Sequence, residues 1–230
     1  MNIEPIAYFK SPFSSKFGIP RQSGIVKELQ GEIHFTDKFR RAEALKGIEG
    51  FDYLWLIWEF SGNPRNEDAS GWKATVRPPR LGGNTNIGVF ATRSPFRPNP
   101  LGLSCVKFEK VDFEAEDAPV IHVLGADLMD GTPIYDIKPY IVYTDSHPEA
   151  SSGFVDKTGW KPLEVIFSEE TSIQLRNLLE PAEMEVLTEV LSQDPRPHYQ
   201  NDPGKVYGMP FKGLDIHFVV KDNVLTVIGL

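Results

Sequence analysis

Short apolar segments separated by turn residues fill the first two thirds of the chain. Residues 31–35 alternate apolar and polar side chains, which is the period of a half-buried strand. Residues 51–60 are aromatic enough for a central strand. The same criteria predict further strands at 4–9, 87–91, 103–111, 120–128 and 135–143. Within these first two thirds, only residues 39–48 have helical spacing, so a mainly β domain is predicted there, either an antiparallel barrel or a sandwich.

The pattern changes after Thr144. A polar stretch containing Gly and Ser predicts a linker at 146–160. It is followed by a predicted strand at 163–167, a helix from Ser172, and a second helix that Pro181 can begin because the first turn needs no N–H there. Two last strands, 215–220 and 224–228, are joined by a predicted hairpin turn. The domains expected are therefore a barrel at 1–145 and a small α+β domain at 161–230.

The totals are those of an ordinary globular protein. The chain has 230 residues, 40% of them hydrophobic, and a mean hydropathy of −0.27. Its single cysteine, Cys105, excludes an internal disulfide and suits a reducing compartment. The longest aromatic-aliphatic run, 53–58, is too short to span a bilayer, and the N-terminus lacks a signal-peptide pattern. We expect a cytoplasmic protein with no membrane partner.

Charge is distributed unevenly along the chain. The net charge is −8, yet residues 69–108 contain six basic residues and no acidic one, so this block carries +6 and the remainder −14. Binding follows local potential more than total charge, so an anionic partner such as nucleic acid is compatible with an acidic protein. The alternative is that the six bases point in different directions and form no common surface.

Residues 76–104 combine four arginines, five prolines and four glycines. Proline fixes the backbone and glycine permits close approaches, so this composition predicts a loop held in one shape with guanidinium groups on it. Such loops are more often binding sites than scaffolding, since Arg suits planar anionic partners. A stiffened surface connection is the alternative interpretation.

Several kinds of chemistry are excluded by missing motifs. The chain has no G-x-G-x-x-G, no Walker sequence and no G-x-S-x-G, and its five histidines lack metal-ligand spacing, so no metal is expected. Loops at 20–22, 61–62, 93–104 and 130–133 would instead form a pocket for a polar small molecule at one barrel end. Arg21 or Arg93 can pair with a carboxylate or phosphate, whereas Asp130 is either a ligand contact or a plain turn residue.

Long motifs in the chain resemble the TrmO family of bacterial tRNA adenosine N6-methyltransferases, which have a TsaA-like barrel. The matching segments are VRPPR at 76–80, GVFATRSPFRPNP at 88–100, DGTP at 130–133, DIKPY at 136–140, PRQ at 20–22 and DPRP at 194–197. They cover nearly the whole chain. One position departs from the pattern, because Phe60-Ser61 stands where family members have Phe-His.

The resemblance implies a small antiparallel β-barrel that binds S-adenosylmethionine (SAM) near a homodimer interface. It implies methylation of N6 on threonylcarbamoyladenosine (t6A to m6t6A) at position 37, in the tRNA anticodon loop. By position, the implied cofactor contacts are Pro20, Arg21, Gln22, Ser61, Gly62, Arg93, Leu103, Asp130, Gly131, Thr132 and Pro133.

Contacts with tRNA are expected from Arg77, Arg80, Arg97 and Arg196. Asp194, Tyr199 or a backbone carbonyl would accept the N6 proton, and an aromatic platform such as Tyr199 would hold the base outside the anticodon stack. Two other classes remain open at this point: a SAM- or nucleotide-binding module without catalysis, and an RNA-binding scaffold.

Overall fold

Six strands form a closed antiparallel barrel in the computed structural model, which describes residues 2–62, 72–159, 161–196, 202 and 204–230. The predicted mainly β architecture is confirmed. The barrel strands are β1 (Ala7–Lys10), β2 (Gln30–Phe35), β3 (Tyr53–Glu59), β6 (Leu101–Asp112), β7 (Val120–Leu124) and β8 (Thr132–Pro139). Their order around the barrel is β1-β2-β7-β6-β3-β8. A separate two-stranded ribbon, β4 (Thr75–Val76) and β5 (Ile87–Gly88), carries the arginine-rich segment.

Alternating side chains fill the barrel interior. Leu54, Leu56 and Trp58 of β3 are buried and belong to one apolar cluster with residues of the other strands. Gly31 is required for this packing, because a Cβ there would lie 2.2 Å from Cζ of Phe9. The described interior of the barrel is therefore a packed core, so a ligand site is expected outside it.

A four-stranded sheet and two helices form the C-terminal part of the chain. The sheet has the order β10 (Tyr207–Phe211), β11 (Leu214–Lys221), β12 (Val224–Gly229) and β9 (Glu164–Phe167), with β9 parallel to β12. The helices are α2 (Glu169–Leu178) and α3 (Pro181–Ser192). Ser168 caps α2 through the Thr171 N–H, and Glu180 with Glu183 forms a capping box on α3.

The two parts share a hydrophobic core. Phe13, Val26 and Leu29, from the connection between β1 and β2, are buried in the same cluster as Leu187 of α3 and Met209 of β10. The Lys212 N–H also donates to the Pro12 carbonyl at 3.0 Å. The β1–β2 connection is thus held against the C-terminal sheet, which fixes how that sheet lies relative to the barrel rim.

Local predictions failed where turn chemistry outweighed periodicity. The helix predicted at 39–48 is wrong: the segment forms two short 3₁₀ turns, Ala42–Leu45 and Ile48–Gly50, because Gly47 takes a left-handed conformation between them. The strand predicted at 135–143 ends at Pro139 and is followed by the single turn α1 (Val142–Asp145). The predicted strand at 120–128 ends at Leu124, before Gly125 with φ 76°.

Candidate functional site

A cavity of about 510 Å³, here called the first cavity, opens where the barrel rim meets the β1–β2 connection. Eight of the eleven residues predicted to contact the cofactor line it: Pro20, Arg21, Gln22, Ser61, Gly62, Arg93, Leu103 and Thr132. The sequence separates these residues by more than a hundred positions. The barrel brings them together because β3, β6 and β8 are neighbours.

Four basic residues line the first cavity: Lys16, Arg21, Arg93 and Arg97. Arg93 donates to the side-chain oxygen of Gln22, so two of the predicted contacts are linked directly. Arg97 donates to the carbonyls of Thr92 and Ser94 at 3.1 and 3.3 Å. These bonds fix the loop after β5 and place Arg97 in the lining of the first cavity. Its predicted contact with tRNA stays a prediction.

Asp127 is the single carboxyl among the described residues that line the first cavity. The Ser104 hydroxyl donates to Asp127 Oδ1, and Trp58 Nε1 donates to the same hydroxyl at 2.9 Å. Burial raises the pKa of Asp127, while hydrogen bonds from Ser104 and from backbone N–H groups and the charge of Arg93 act in the opposite direction. Sequence reasoning missed Asp127. Its position inside an apolar run, Gly125-Ala126-Asp127-Leu128, was the available signal.

Part of the remaining wall of the first cavity is apolar. Trp58 and Phe60 pack edge to face with ring centroids 4.4 Å apart, and Leu101, Leu103 and Met129 complete the surface. Gly102 makes room for the indole, because a Cβ there would lie 2.3 Å from Cε2 of Trp58. An aromatic and aliphatic wall facing charged groups suits a ligand that has a flat base and a zwitterionic tail.

Three predicted cofactor contacts lie outside the lining of this cavity: Asp130, Gly131 and Pro133. Asp130 Oδ1 accepts the Ser11 N–H at 3.0 Å, and the Gly131 N–H donates to the Phe9 carbonyl at 2.8 Å. These bonds shape the turn that leads into β8. A cofactor role for the three residues stays a prediction.

A second cavity of about 740 Å³ lies between the segment after β4 and the C-terminal end of α3. It shares Lys16, Ile19 and Arg21 with the first cavity, so the two are adjacent. Arg77 and Arg196, both predicted to contact tRNA, line the second cavity. Burial lowers the pKa of Arg21, Asp194 raises it, and the positive charge of nearby Arg80 lowers it further.

Asp194 lines the second cavity and is bound to an arginine. Its carboxylate accepts from Arg196 Nε at 2.8 Å and from Nη2 at 2.9 Å, and its carbonyl accepts from Arg21 Nη2 at 3.3 Å. Both carboxylate oxygens are therefore engaged, and Asp194 does not line the first cavity. Its role as a proton acceptor stays a prediction, and Tyr199 lies outside the described residues.

Neither a cluster of metal ligands nor a membrane-spanning helix is present among the described residues. No group of three or more potential metal ligands occurs in the part of the chain that the structure describes. Among the described helices, none is long and apolar enough to cross a bilayer.

The fold and the first cavity define a class of protein: a closed antiparallel barrel with a cavity at its rim, unlike a doubly wound α/β sheet. Comparison with known families is more specific. Residues 8–146 match the tRNA-methyltransferase O N-terminal domain and residues 160–230 match the TrmO C-terminal domain. The chain belongs to the tRNA-methyltransferase O family.

Individual relatives agree with this assignment. The chain is 39% identical to the tRNA (adenine(37)-N6)-methyltransferase of Escherichia coli K12, over 99% of this chain and 96% of that protein. It is 41% identical to a protein of the same name from Eikenella corrodens, over 77% of this chain and 95% of that one. The crystal structure of TrmO from Pseudomonas aeruginosa superposes with a TM-score of 0.76 at 30% identity, covering 100% of this chain and 97% of the other.

Proposed function

We propose that the protein transfers a methyl group from S-adenosylmethionine to N6 of adenine 37 in tRNA, and that the adenosine it accepts carries the threonylcarbamoyl group. Relatives named tRNA (adenine(37)-N6)-methyltransferase support the reaction and the position. The first cavity is the observation that carries the proposal, because it gathers eight of the residues predicted to hold the cofactor.

The lining of the first cavity fits the cofactor. A volume of about 510 Å³ is within the range for small-molecule sites. Trp58, Phe60 and Leu101 offer an apolar surface for the adenine, while Arg93 and Arg21 offer guanidinium groups for the methionine carboxylate. A relative from Pseudomonas aeruginosa, 40% identical over 94% of this chain, is provisionally named an S-adenosylmethionine-dependent methyltransferase.

The protein's task in this reaction is mainly alignment. The bound cofactor supplies an electrophilic methyl group, and the attacking nitrogen must lie in line with the bond that breaks, roughly 3–3.5 Å from the methyl carbon. The N6 lone pair of adenine is delocalised into the ring, so an acceptor on the N6 proton would make the nitrogen more nucleophilic.

Ser61 and Gly62 are exposed at the cavity opening, and the Ser61 N–H is already bonded to the Glu59 carbonyl at 2.8 Å.

The second cavity fits the modified nucleotide. A threonylcarbamoyl group ends in a carboxylate, and Lys16, Arg21, Arg77 and Arg196 line this cavity. Arg196 is partly neutralised by Asp194, so Arg77 and Arg21 are the better partners for a carboxylate or phosphate. Because Lys16, Ile19 and Arg21 line both cavities, a nucleotide in the second would lie next to the cofactor in the first.

We also propose a homodimer and a cytoplasmic location. Leu103, at the rim of the first cavity, is 55% exposed, and Phe90 and Phe96 in the neighbouring loop are 73% and 55% exposed. Large apolar side chains exposed near a site are typical of surfaces that another chain covers. Light scattering on the purified protein tests the dimer. We expect a molar mass twice the chain mass of 25.9 kDa.

One incubation tests the reaction and the substrate together. Purified protein is mixed with methyl-labelled SAM and with tRNA that either carries or lacks the threonylcarbamoyl group. We expect label at N6 of adenine 37 in the modified tRNA only. Equal labelling of both tRNAs would contradict the substrate assignment. Cofactor binding without any labelling would favour the non-catalytic module, which the departure from the family pattern at Ser61 supports.

A further inference from the structure

We propose that the Asp127 carboxylate holds a cationic group of the cofactor in the first cavity, either the sulfonium or the α-ammonium group. The inference rests on the proposed function, because it takes the first cavity as the cofactor site. It adds a binding residue that belongs to none of the resembling motifs.

The charges that line the first cavity complement those of the cofactor. S-adenosylmethionine has two cationic groups and one carboxylate. The described lining of the first cavity has four basic side chains and a single carboxyl, that of Asp127. The basic side chains are suited to the cofactor's carboxylate and would repel its cations. Asp127 is therefore the one charged partner in this lining that can attract a sulfonium or an ammonium group.

Hydrogen bonds from the barrel core fix the orientation of the Asp127 carboxylate. The Ser104 hydroxyl donates to Asp127 Oδ1 and itself accepts from Trp58 Nε1 at 2.9 Å. Ser104 is 1% exposed and Trp58 is 6% exposed, so the two donors are held by the barrel core. One carboxylate oxygen is thereby fixed by Ser104 on a rigid strand, which is the arrangement that a preorganised ligand contact requires.

The Asp127 carboxylate has no permanent counter-ion among the described residues. Among the described ion pairs, none includes Asp127. A carboxylate that is partly removed from water without an ion-pair partner is unfavourable. Burial raises the pKa of Asp127, and the nearby charge of Arg93 offsets this only in part. A bound cation would supply the missing compensation. Asp194 in the second cavity, by contrast, already has Arg196 as its partner.

Proton linkage follows from this arrangement. A cation favours the ionised carboxylate, so cofactor binding should release protons when the pH is near the raised pKa of Asp127, and affinity should fall as the pH drops through that pKa. The side chains that face Asp127 or share the lining with it are Lys16, Arg21, Arg93, Arg97, Ser104 and Trp58. None of these side chains changes charge between about pH 5 and 6.5, and the α-ammonium group of the ligand also stays protonated there. Proton release in that range therefore reports on Asp127.

The experiment is a set of calorimetric titrations with three ligands. SAM has both cationic groups, S-adenosylhomocysteine keeps only the ammonium, and 5′-methylthioadenosine has neither. Each ligand is titrated into the wild type, Asp127→Asn and Asp37→Asn, the last being a control that removes a charge from a side chain 94% exposed and outside the cavity lining. Two buffers of different ionisation enthalpy give the number of protons released.

We expect Asp127→Asn to weaken SAM binding about tenfold to a hundredfold, as for loss of a charged hydrogen-bonding partner, and to abolish proton release. Methylthioadenosine should bind this variant as it binds the wild type, which shows that the cavity is intact. An equal loss for S-adenosylhomocysteine would identify the ammonium as the partner. A loss confined to SAM would identify the sulfonium.

Two results would overturn this inference and leave the proposed function standing. One is undiminished SAM binding by Asp127→Asn; the other is an equal loss of affinity for methylthioadenosine, which would indicate a structural role. If the wild type bound none of the three ligands, the proposed function would fail and this inference with it. The wild-type titration therefore separates the two kinds of failure.

Discussion

The two cavities use the same types of side chain in opposite ways. Each contains several basic residues and a single carboxyl, Asp127 in the first and Asp194 in the second. Asp194 is bound to Arg196 through both oxygens, whereas Asp127 accepts from a serine hydroxyl and has no ion-pair partner among the described residues. The second cavity therefore presents positive charge, and the first presents separate positive and negative groups.

This difference indicates which ligand each cavity suits. A surface of net positive charge binds phosphates and carboxylates of many shapes, as required for tRNA. Separate charges around an apolar wall bind one zwitterion in one orientation. Arg21 lines both cavities, so it lies at the boundary where the transferred methyl group would have to pass from one ligand to the other.

Removing one arginine from each cavity should show the largest contrast. Arg93→Ala removes a guanidinium from the first cavity and should weaken SAM binding about tenfold to a hundredfold, as expected for a charged hydrogen bond to a carboxylate. Arg196→Ala should leave SAM affinity unchanged and weaken the use of tRNA. Calorimetry and steady-state kinetics measure the two effects. Unchanged SAM affinity in Arg93→Ala would refute the assignment of the first cavity.

Packing beneath the first cavity should also matter. In Gly102→Ala the added Cβ would lie 2.3 Å from the Trp58 ring, so the indole must move. Overpacking of this kind costs about 1–3 kcal/mol of unfolding free energy, and the displaced indole should also weaken SAM binding. Gly88→Ala is the matched control, because its Cβ would meet no atom within 4 Å and its φ is −55°. Denaturant unfolding of both variants tests this; equal stability of the two would contradict the packing account.

Arg77 should contribute to tRNA binding mainly through the charge of its guanidinium group. Its side chain is exposed, and Nε donates to Asn86 Oδ1 at 3.4 Å. Arg77→Ala should weaken tRNA binding several-fold and reduce the slope of log affinity against log salt by about one. Filter binding at several salt concentrations measures the slope. An unchanged slope would place Arg77 outside the tRNA contact surface.

Stability should respond to the two carboxylates with opposite signs. The pKa of folded Asp127 is raised by burial, so its ionisation lowers the stability of the ligand-free protein once the pH exceeds the unfolded value, about 3.9. Asp127→Asn should therefore increase the unfolding free energy at pH 7 and lose this advantage below pH 4.

Asp194→Asn should instead lower stability at pH 7, because it leaves the Arg196 guanidinium, 13% exposed, without its ion-pair partner. Thermal unfolding at pH 7 and pH 4 compares the two variants. A lower Tm for Asp127→Asn at pH 7 would contradict the view that Asp127 is a half-buried carboxylate without an ion-pair partner.

Much of the architecture could be predicted from local chemistry. Pro181 correctly marks the start of α3, because proline suits the first turn of a helix. Asp222 and Asn223 correctly mark the β11–β12 hairpin, because its turn requires two residues with φ near 50–64°. Strand β10 was missed, since Gly208 and Pro210 weaken its strand signal. Pro210 is tolerated in this strand because β10 lies at the edge of the sheet.

The candidate site was predictable only where motifs are long. The resemblance identified Arg93 and Pro20, both of which line the first cavity. It did not identify Asp127, whose significance depends on a hydrogen bond to Ser104, 23 positions away, and on burial by the barrel. Nor could periodicity show that Phe13 packs into the C-terminal core. Such properties arise from tertiary contacts, which a pattern of neighbouring residues does not contain.

The most direct test of the two-cavity account is a crystal structure of the protein with S-adenosylhomocysteine and an anticodon stem-loop bearing the threonylcarbamoyl group. The account predicts the adenosine part of the cofactor product against Trp58 and Phe60, its carboxylate near Arg93, and the threonylcarbamoyl carboxylate near Arg77 in the second cavity. Cofactor product bound in the second cavity, or a modified base with no contact to the residues of that cavity, would contradict it.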